Sequence, residues 1–160
     1  ESNRYTMKIA PHSCNKLCRE AITTVEHRKP EGVKLYYTSE VDDCYELITD
    51  GQRVCQILIN FLTNAEKHTT QGEIRLHCSL TENPGYVTFS VTDTGTGIPP
   101  EYSETIFERF EKADNFGQGT GLGLNICRLI AERLKGKVLL DKEYKEGARF
   151  VFVLPVKKSI

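Results

Sequence analysis

Tryptophan is absent from the 160 residues and methionine occurs once. No apolar run approaches the ~20 residues that a membrane-spanning helix requires; Phe150 to Leu154 is among the longest. Neither sign of charge dominates, with 21 basic residues against 22 acidic ones and a formal net charge of −1. That balance lacks the basic footprint of a nucleic-acid binder, so no nucleic-acid partner is expected. The six cysteines (Cys14, Cys18, Cys44, Cys55, Cys78, Cys127) include no C-x-x-C pair, so zinc-ligand spacing is missing. A disulfide framework is not expected in a chain with this much apolar sequence, and the thiols read as reduced, structural and cytosolic. Repeats, low-complexity linkers and a signal peptide are also missing. Because the chain opens on Glu1 rather than Met, it reads as a piece of a longer protein, with residues 1–160 forming one domain.

What is present is ordinary globular composition, 39% hydrophobic and 27% charged. Ser13 is placed to cap a helix whose apolar positions are Cys14, Leu17, Cys18, Ala21, Ile22 and Val25. Pro30-Glu31-Gly32 breaks it, and strands are expected over Val33–Thr38 and Tyr45–Thr49. After Gly51 a second helix carries Val54, Ile57, Leu58, Phe61, Leu62 and Ala65 on one face. A hairpin follows, with Ile74, Leu76, Cys78 and Leu80 alternating, a turn at Asn83-Pro84-Gly85, then Val87, Phe89 and Val91. The stretch Asp93–Thr120 is rich in glycine, proline and charge, with a short helix expected around Glu104–Phe110. A long helix over Leu122–Leu134 and strands over Lys137–Asp141 and Ala148–Leu154 close the chain. This order predicts an α/β fold, a two-layer sandwich with helices on one face of a mixed, largely antiparallel sheet.

Three segments suggest chemistry. At about 100° per residue, Asn60, Asn64 and Lys67 form a stripe a quarter-turn from the apolar face of the second helix. Two Asn oxygens one turn apart suit Mg²⁺, and a lysine beside them suits a phosphate. Asp93-Thr-Gly95-Thr-Gly97-Ile98-Pro99 follows a strand, where an ionised carboxylate accepts hydrogen bonds and glycines admit a flat ring. Gly117 to Leu124 leads into a helix N-terminus, a phosphate-binding arrangement, yet it fits neither the P-loop nor the dinucleotide fingerprint. Taken singly, each also fits a polar helix flank or a glycine-rich turn.

In combination and in this order, they resemble the catalytic ATP-binding domain of sensor histidine kinases, in the gyrase–chaperone–histidine kinase–mismatch-repair (GHKL) superfamily. Asn60-Phe-Leu-Thr-Asn64-Ala-Glu-Lys67-His68-Thr69 resembles the N box, and Asp93-x-Gly95-x-Gly97-Ile98-Pro99 the first glycine box. Phe107-Glu-Arg109-Phe110 resembles the F box, and Gly119-Thr120-Gly121-Leu122-Gly123-Leu124 the second glycine box. The lead-in Asp50-Gly-Gln-Arg53-Val-Cys-Gln56-Ile57-Leu58 is similar as well.

The resemblance implies a Bergerat-type fold that binds ATP and Mg²⁺ for phosphoryl transfer in two-component signalling. Asn64, helped by Asn60, would ligate Mg²⁺, with Lys67 and His68 on phosphate or ribose. Asp93 would hold the adenine amino group, and Gly95, Gly97 and Ile98 would border the ring. Arg109, beside Phe110, would face the outer phosphates. Glu111–Gln118 would form a lid, and Gly119, Thr120, Gly121, Leu122, Gly123 and Leu124 would close on the phosphates. His68 departs from the aromatic residue usual at its position.

The implied partners are a dimerisation hairpin carrying the acceptor histidine and a downstream receiver domain. The parent would be a homodimer and this piece a monomer. The implied location is cytoplasmic, whether or not the parent is anchored in a membrane. None of His12, His27, His68 or His77 has the sequence setting of the acceptor; His77 is expected to be solvated on a strand's polar face. Two alternatives stay open. ATP hydrolysis of the gyrase and chaperone kind uses a Glu where Asn60 stands, and an amide is a poor base. A non-catalytic nucleotide-sensing module is the other.

Overall fold

The computed structural model describes residues 6–102, 105–108 and 122–156. Five strands form one sheet in the order β2-β4-β5-β7-β6, namely β2 (Val33–Ser39), β4 (Gly72–Ser79), β5 (Tyr86–Asp93), β7 (Ala148–Pro155) and β6 (Lys137–Leu140). Only β2 and β4 run parallel, and α2 (Gly51–His68) supplies the crossover that such a pair needs. The other neighbours are antiparallel. Helices α1 (Cys14–Val25) and α2 pack on each other and on one sheet face, and α3 (Leu122–Arg133) packs against α2 and β6. This is the expected two-layer sandwich with its largely antiparallel sheet.

Helix α1 begins at the cap the sequence gives it, and the structure adds a cap for α2. Ser13 Oγ accepts the Lys16 amide at 3.2 Å and starts α1. Asp50 starts α2, its Oδ1 accepting from Arg53 N at 3.2 Å and its Oδ2 from Lys8 N at 3.0 Å. The core lies between the layers. Phe61 on α2 meets Phe150 on β7 at 5.4 Å between ring centroids, and Phe107 packs edge-on to Phe150 at 5.9 Å. The first F-box aromatic is therefore a core residue, which ties the 105–108 turn to α2.

Several details depart from expectation. Ala10–Ser13 forms a strand, β1, that pairs antiparallel with β3 (Glu46–Thr49) in a separate two-stranded sheet. Four residues with one proline carry no periodic signal that would have marked it. Residues 105–108, the described part of the short helix expected at Glu104–Phe110, form a turn closed by Glu108 N donating to Thr105 O at 2.9 Å.

The polar face of β5 is not solvated. Thr88 and Ser90 are buried on this central strand, where Ser90 pairs with His77 and Val151 and Thr88 Oγ1 accepts from Asn83 Nδ2 at 2.9 Å. His77 itself is half-buried and bonded: its Nδ1 lies 2.6 Å from Thr38 Oγ1 and its Nε2 lies 3.5 Å from Glu40. At the end of α3, Lys135 takes the left-handed conformation (φ 70°) usually given to glycine. Gly136 is needed for space instead, since a Cβ there would sit 2.2 Å from the Val153 carbonyl.

Glu66 is 8% exposed on α2, and its Oε2 has no hydrogen-bond partner among the described residues. Burial pushes its carboxyl above the ordinary value, with Arg28 and Lys29 opposing. A raised folded-state value means that the favourable contribution is full below the unfolded-state pKa and is lost as pH rises through the folded one. Glu66→Gln should therefore stabilise the domain at pH 7 by about 1 kcal/mol, or roughly 2–4 °C, and should not do so near pH 4. Thermal melts of both proteins at the two pH values check this.

Candidate functional site

The fold brings α2's polar flank between the start of α3 and the turn after β5. At one end, Asn60 Nδ2 donates to the Gly123 carbonyl at 3.4 Å and to Cys127 Sγ at 3.5 Å, both on α3. These contacts hold the amide nitrogen against α3. At the other end, the His68 carbonyl accepts the Thr96 amide at 3.1 Å, so the end of α2 is bound to the turn after β5. Eight residues of helix separate Asn60 from His68, a span of about 12 Å. Between them, Asn64 is half-buried with no side-chain hydrogen bond among the described residues, and Lys67 is exposed.

Asp93 ends β5 and is 1% exposed. Its Oδ1 accepts two backbone amides, Gly95 N at 2.9 Å and Ala148 N at 3.2 Å. Burial raises its carboxyl above the ordinary value, while these amides and His68 pull it back. Burial is also the main cause holding the half-buried His68 below its ordinary value; Asp93 opposes it and Lys67 adds to it. His68 is thus favoured as the neutral imidazole beside an acidic group. Gly97 takes φ +79° and faces Gly147, and Ile98 packs partly buried against the core.

The segment Tyr144–Ala148 carried no functional signal in the sequence beyond a glycine before a strand. It forms the back wall of this site. Tyr144 donates its hydroxyl to the Asp93 carbonyl at 3.1 Å, and a Cβ on Gly147 would fall 2.0 Å from that same oxygen. The approach is possible only without a side chain.

Asn60, His68, Asp93, Gly95, Gly97, Ile98, Gly123 and Leu124 are thus arranged around α2 and the end of β5. Of Leu122, only its place at the start of α3 is described. Arg109, Phe110, Gly119, Thr120, Gly121 and the lid expected at Glu111–Gln118 lie outside the described residues. Among the described residues no group of three or more His, Cys, Asp or Glu side chains could hold a metal ion. No described helix is long and apolar enough to cross a membrane.

The profile of the histidine kinase-, DNA gyrase B- and HSP90-like ATPases matches residues 49–158, from the end of β3 past β7. The chain belongs to that family. Among relatives, the autoinducer 2 sensor kinase/phosphatase LuxQ of Vibrio harveyi is 37% identical over 136 residues, 79% of this chain and 16% of that protein. Sensor protein SrrB of Staphylococcus aureus is 40% identical over 111 residues, 66% of this chain and 19% of that one. The chain thus spans less than a fifth of these curated relatives.

Two solved structures share the fold closely. Full-length ShkA in complex with AMPPNP matches with a TM-score of 0.83 at 32% identity, over 97% of this chain and 32% of that one. The nucleotide-free catalytic domain of histidine kinase ThkA gives 0.81 at 29% identity, over 94% and 97% respectively. Together these make the chain an ATP-binding catalytic domain of the sensor-kinase branch of the family.

The glycines of the site differ in what they tolerate. A Cβ at Gly95 would lie 2.1 Å from the His68 carbonyl, whereas one at Gly123 would meet Asn60 Oδ1 at an ordinary 3.5 Å. Gly95→Ala should therefore cost about 1–3 kcal/mol by forcing backbone apart. Gly123→Ala, within a helix, should change stability by less than about 1 kcal/mol. Urea denaturation of both variants measures the difference; equal costs would contradict this packing.

Proposed function

We propose that the site binds Mg-ATP along α2 and delivers the γ-phosphate to a histidine on a helical hairpin outside residues 1–160. The observation that carries this is Asp93, a carboxylate held on one oxygen by two amides at the end of a central strand. With Oδ1 occupied, Oδ2 is left to accept the amino group of adenine. Gly95, Gly97 and Ile98 would border the ring, and His68, uncharged, would lie near the ribose or phosphates.

The donor set suits magnesium. The Asn60 nitrogen is engaged by α3 while its oxygen accepts no hydrogen bond among the described residues, and the Asn64 side chain is likewise unengaged there. Neutral amide oxygens complete a shell made mostly of phosphate oxygens and water. When bound, magnesium would neutralise charge on the phosphates. Lys67 and Arg109 would add positive charge, and the segment Gly119–Leu124 would bring backbone N–H groups to the phosphates.

Transfer then depends on aligning the attacking nitrogen with the γ-phosphate rather than on acid–base chemistry within the domain. Asn60 supplies no base for water, which favours transfer over hydrolysis. Three of the four histidines are in contact with other groups. The His12 ring lies against Gly51, His68 beside Asp93, and His77 against Thr38 and Glu40. His27 lies in the single 3₁₀ turn after α1. The partners are the hairpin and, downstream, a receiver domain, with the parent protein a homodimer and the domain facing the cytoplasm.

Asp93→Asn keeps the oxygen that accepts the two amides but turns the ligand-facing acceptor into a donor. ATP affinity should fall by roughly 30–150-fold, equivalent to about 2–3 kcal/mol for a buried unpaired contact. Because burial raises the Asp93 pKa, its ionised form costs stability as pH rises through that value, so the empty variant should melt no lower at pH 7. Titration calorimetry and melting curves test both parts; unchanged affinity would remove Asp93 from the site.

With γ-labelled ATP, the 160-residue chain alone should neither label itself on histidine nor hydrolyse ATP rapidly. Addition of the hairpin from its parent protein should yield an acid-labile phosphoryl product. Rapid hydrolysis by the chain alone would instead indicate a gyrase-like ATPase. Tight nucleotide binding without transfer to the hairpin would indicate a sensing module.

A further inference from the structure

Away from the nucleotide site, three thiols meet beneath the start of α1. Cys14 is its first residue, Cys18 lies one turn on, and Cys78 faces them from the end of β4. All three are fully buried. Cys14 Sγ and Cys78 Sγ stand 3.2 Å apart across 64 positions of sequence. Closing that gap to a disulfide bond of about 2.05 Å takes a movement of little more than 1 Å.

We infer that Cys14 and Cys78 are a redox pair that forms a disulfide with peroxide as oxidant. A buried thiol is ordinarily inert because it stays protonated and out of reach of oxidants, and a neighbouring thiol is what traps a sulfenic acid once one forms. Here the partner is in contact. Hydrogen bonds from Cys14 and Cys18 hold the Cys78 thiol below its ordinary value, while its bond to Cys78 and burial push Cys14 up. The pair yields the same disulfide whichever of the two sulfurs is oxidised first.

The pair is covered by the partly buried Tyr37 and Tyr45 and by the loop at residues 41–45. Asn15 Nδ2 donates to the Val41 carbonyl at 2.9 Å and to Asp43 at 2.9 Å, and Cys14 N donates to the Tyr45 carbonyl at 3.1 Å. The loop they hold, with Asp42, Asp43 and Cys44 exposed, can open locally to a molecule of peroxide size.

The chemistry balances. One sulfur of the pair attacks a peroxide oxygen, the O–O bond breaks, and the departing hydroxide leaves as water with that thiol's proton. The other sulfur then attacks the sulfenic sulfur, the S–O bond breaks, and a second water leaves with its proton. Two thiols are oxidised to one disulfide and one peroxide is reduced to two waters. The product ties α1 to the sheet on the side of α2 away from Asn60, closing a covalent loop around the N box.

Sequence makes the test direct, because trypsin separates all three thiols. Cys14 falls in Ile9–Lys16, Cys18 in Leu17–Arg19 and Cys78 in Leu76–Arg109. The whole chain is treated with millimolar hydrogen peroxide, alkylated, digested and analysed by mass spectrometry without reduction. The expected product joins Ile9–Lys16 to Leu76–Arg109, is two hydrogens lighter than the separate peptides, and disappears on dithiothreitol treatment. It should persist in Cys44→Ser, which removes the exposed thiol. A link from Cys78 to Cys18 or Cys44 would overturn the assignment. So would recovery of Cys14 and Cys78 as unlinked thiols or sulfinic acids, or loss of the link in Cys44→Ser. The wild-type digest suffices to decide the pair even where a cysteine variant fails to fold.

Discussion

Burying a carboxylate at the end of a central strand is costly unless its oxygens are hydrogen-bonded, and much of the local structure around Asp93 answers that cost. One oxygen is satisfied by amides from two separate segments, Gly95 just after β5 and Ala148 at the start of β7. Meeting both requires the loop before β7 to come within contact of β5's end, and Gly147 is the residue that allows it. Tyr144 fastens that loop to the Asp93 carbonyl. The carboxylate is thus fixed before any ligand arrives, and a hydrogen bond to its other oxygen would require little reorganisation.

Helix α2 connects this fixed point to the rest of the site. Its apolar face, centred on Phe61, is locked by Phe107 and Phe150, so the rotation of the helix about its axis is set by the core. That rotation puts Asn60 against α3 and His68 against the turn after β5. Packing on one face of a single helix therefore determines where the polar residues on its flank stand. The same helix carries a buried carboxylate, Glu66, with one oxygen unpartnered, a cost that the core bears elsewhere.

The helices and the hairpin were legible in the sequence because their signals are local. Periodicity marks the apolar faces of α1 and α2, and Ser13 marks the start of α1 as its cap. Alternation marks β4 and β5, and Gly85 takes the positive φ that its turn needs. Strand β1 was not legible, since its stability comes from pairing with β3, more than thirty residues away, rather than from its own pattern. The burial of Thr88 and Ser90 was equally hidden, because being central in a sheet is a property of strand order and not of the strand's own residues.

For the candidate site, residue types and their spacing were enough to nominate Asn60, Asn64, Asp93 and the glycines, since boxes of this kind are contiguous in sequence. What the sequence by itself determined is therefore the class of fold and the family. Tertiary structure alone decided which oxygen of Asp93 is occupied and that Tyr144, Gly147 and Ala148 stand behind it. It also decided that Cys14 and Cys78 touch, and that His77 is bonded rather than solvated. Each of these is a contact between segments distant along the chain, set by the register and order of strands, which no local pattern of residues encodes.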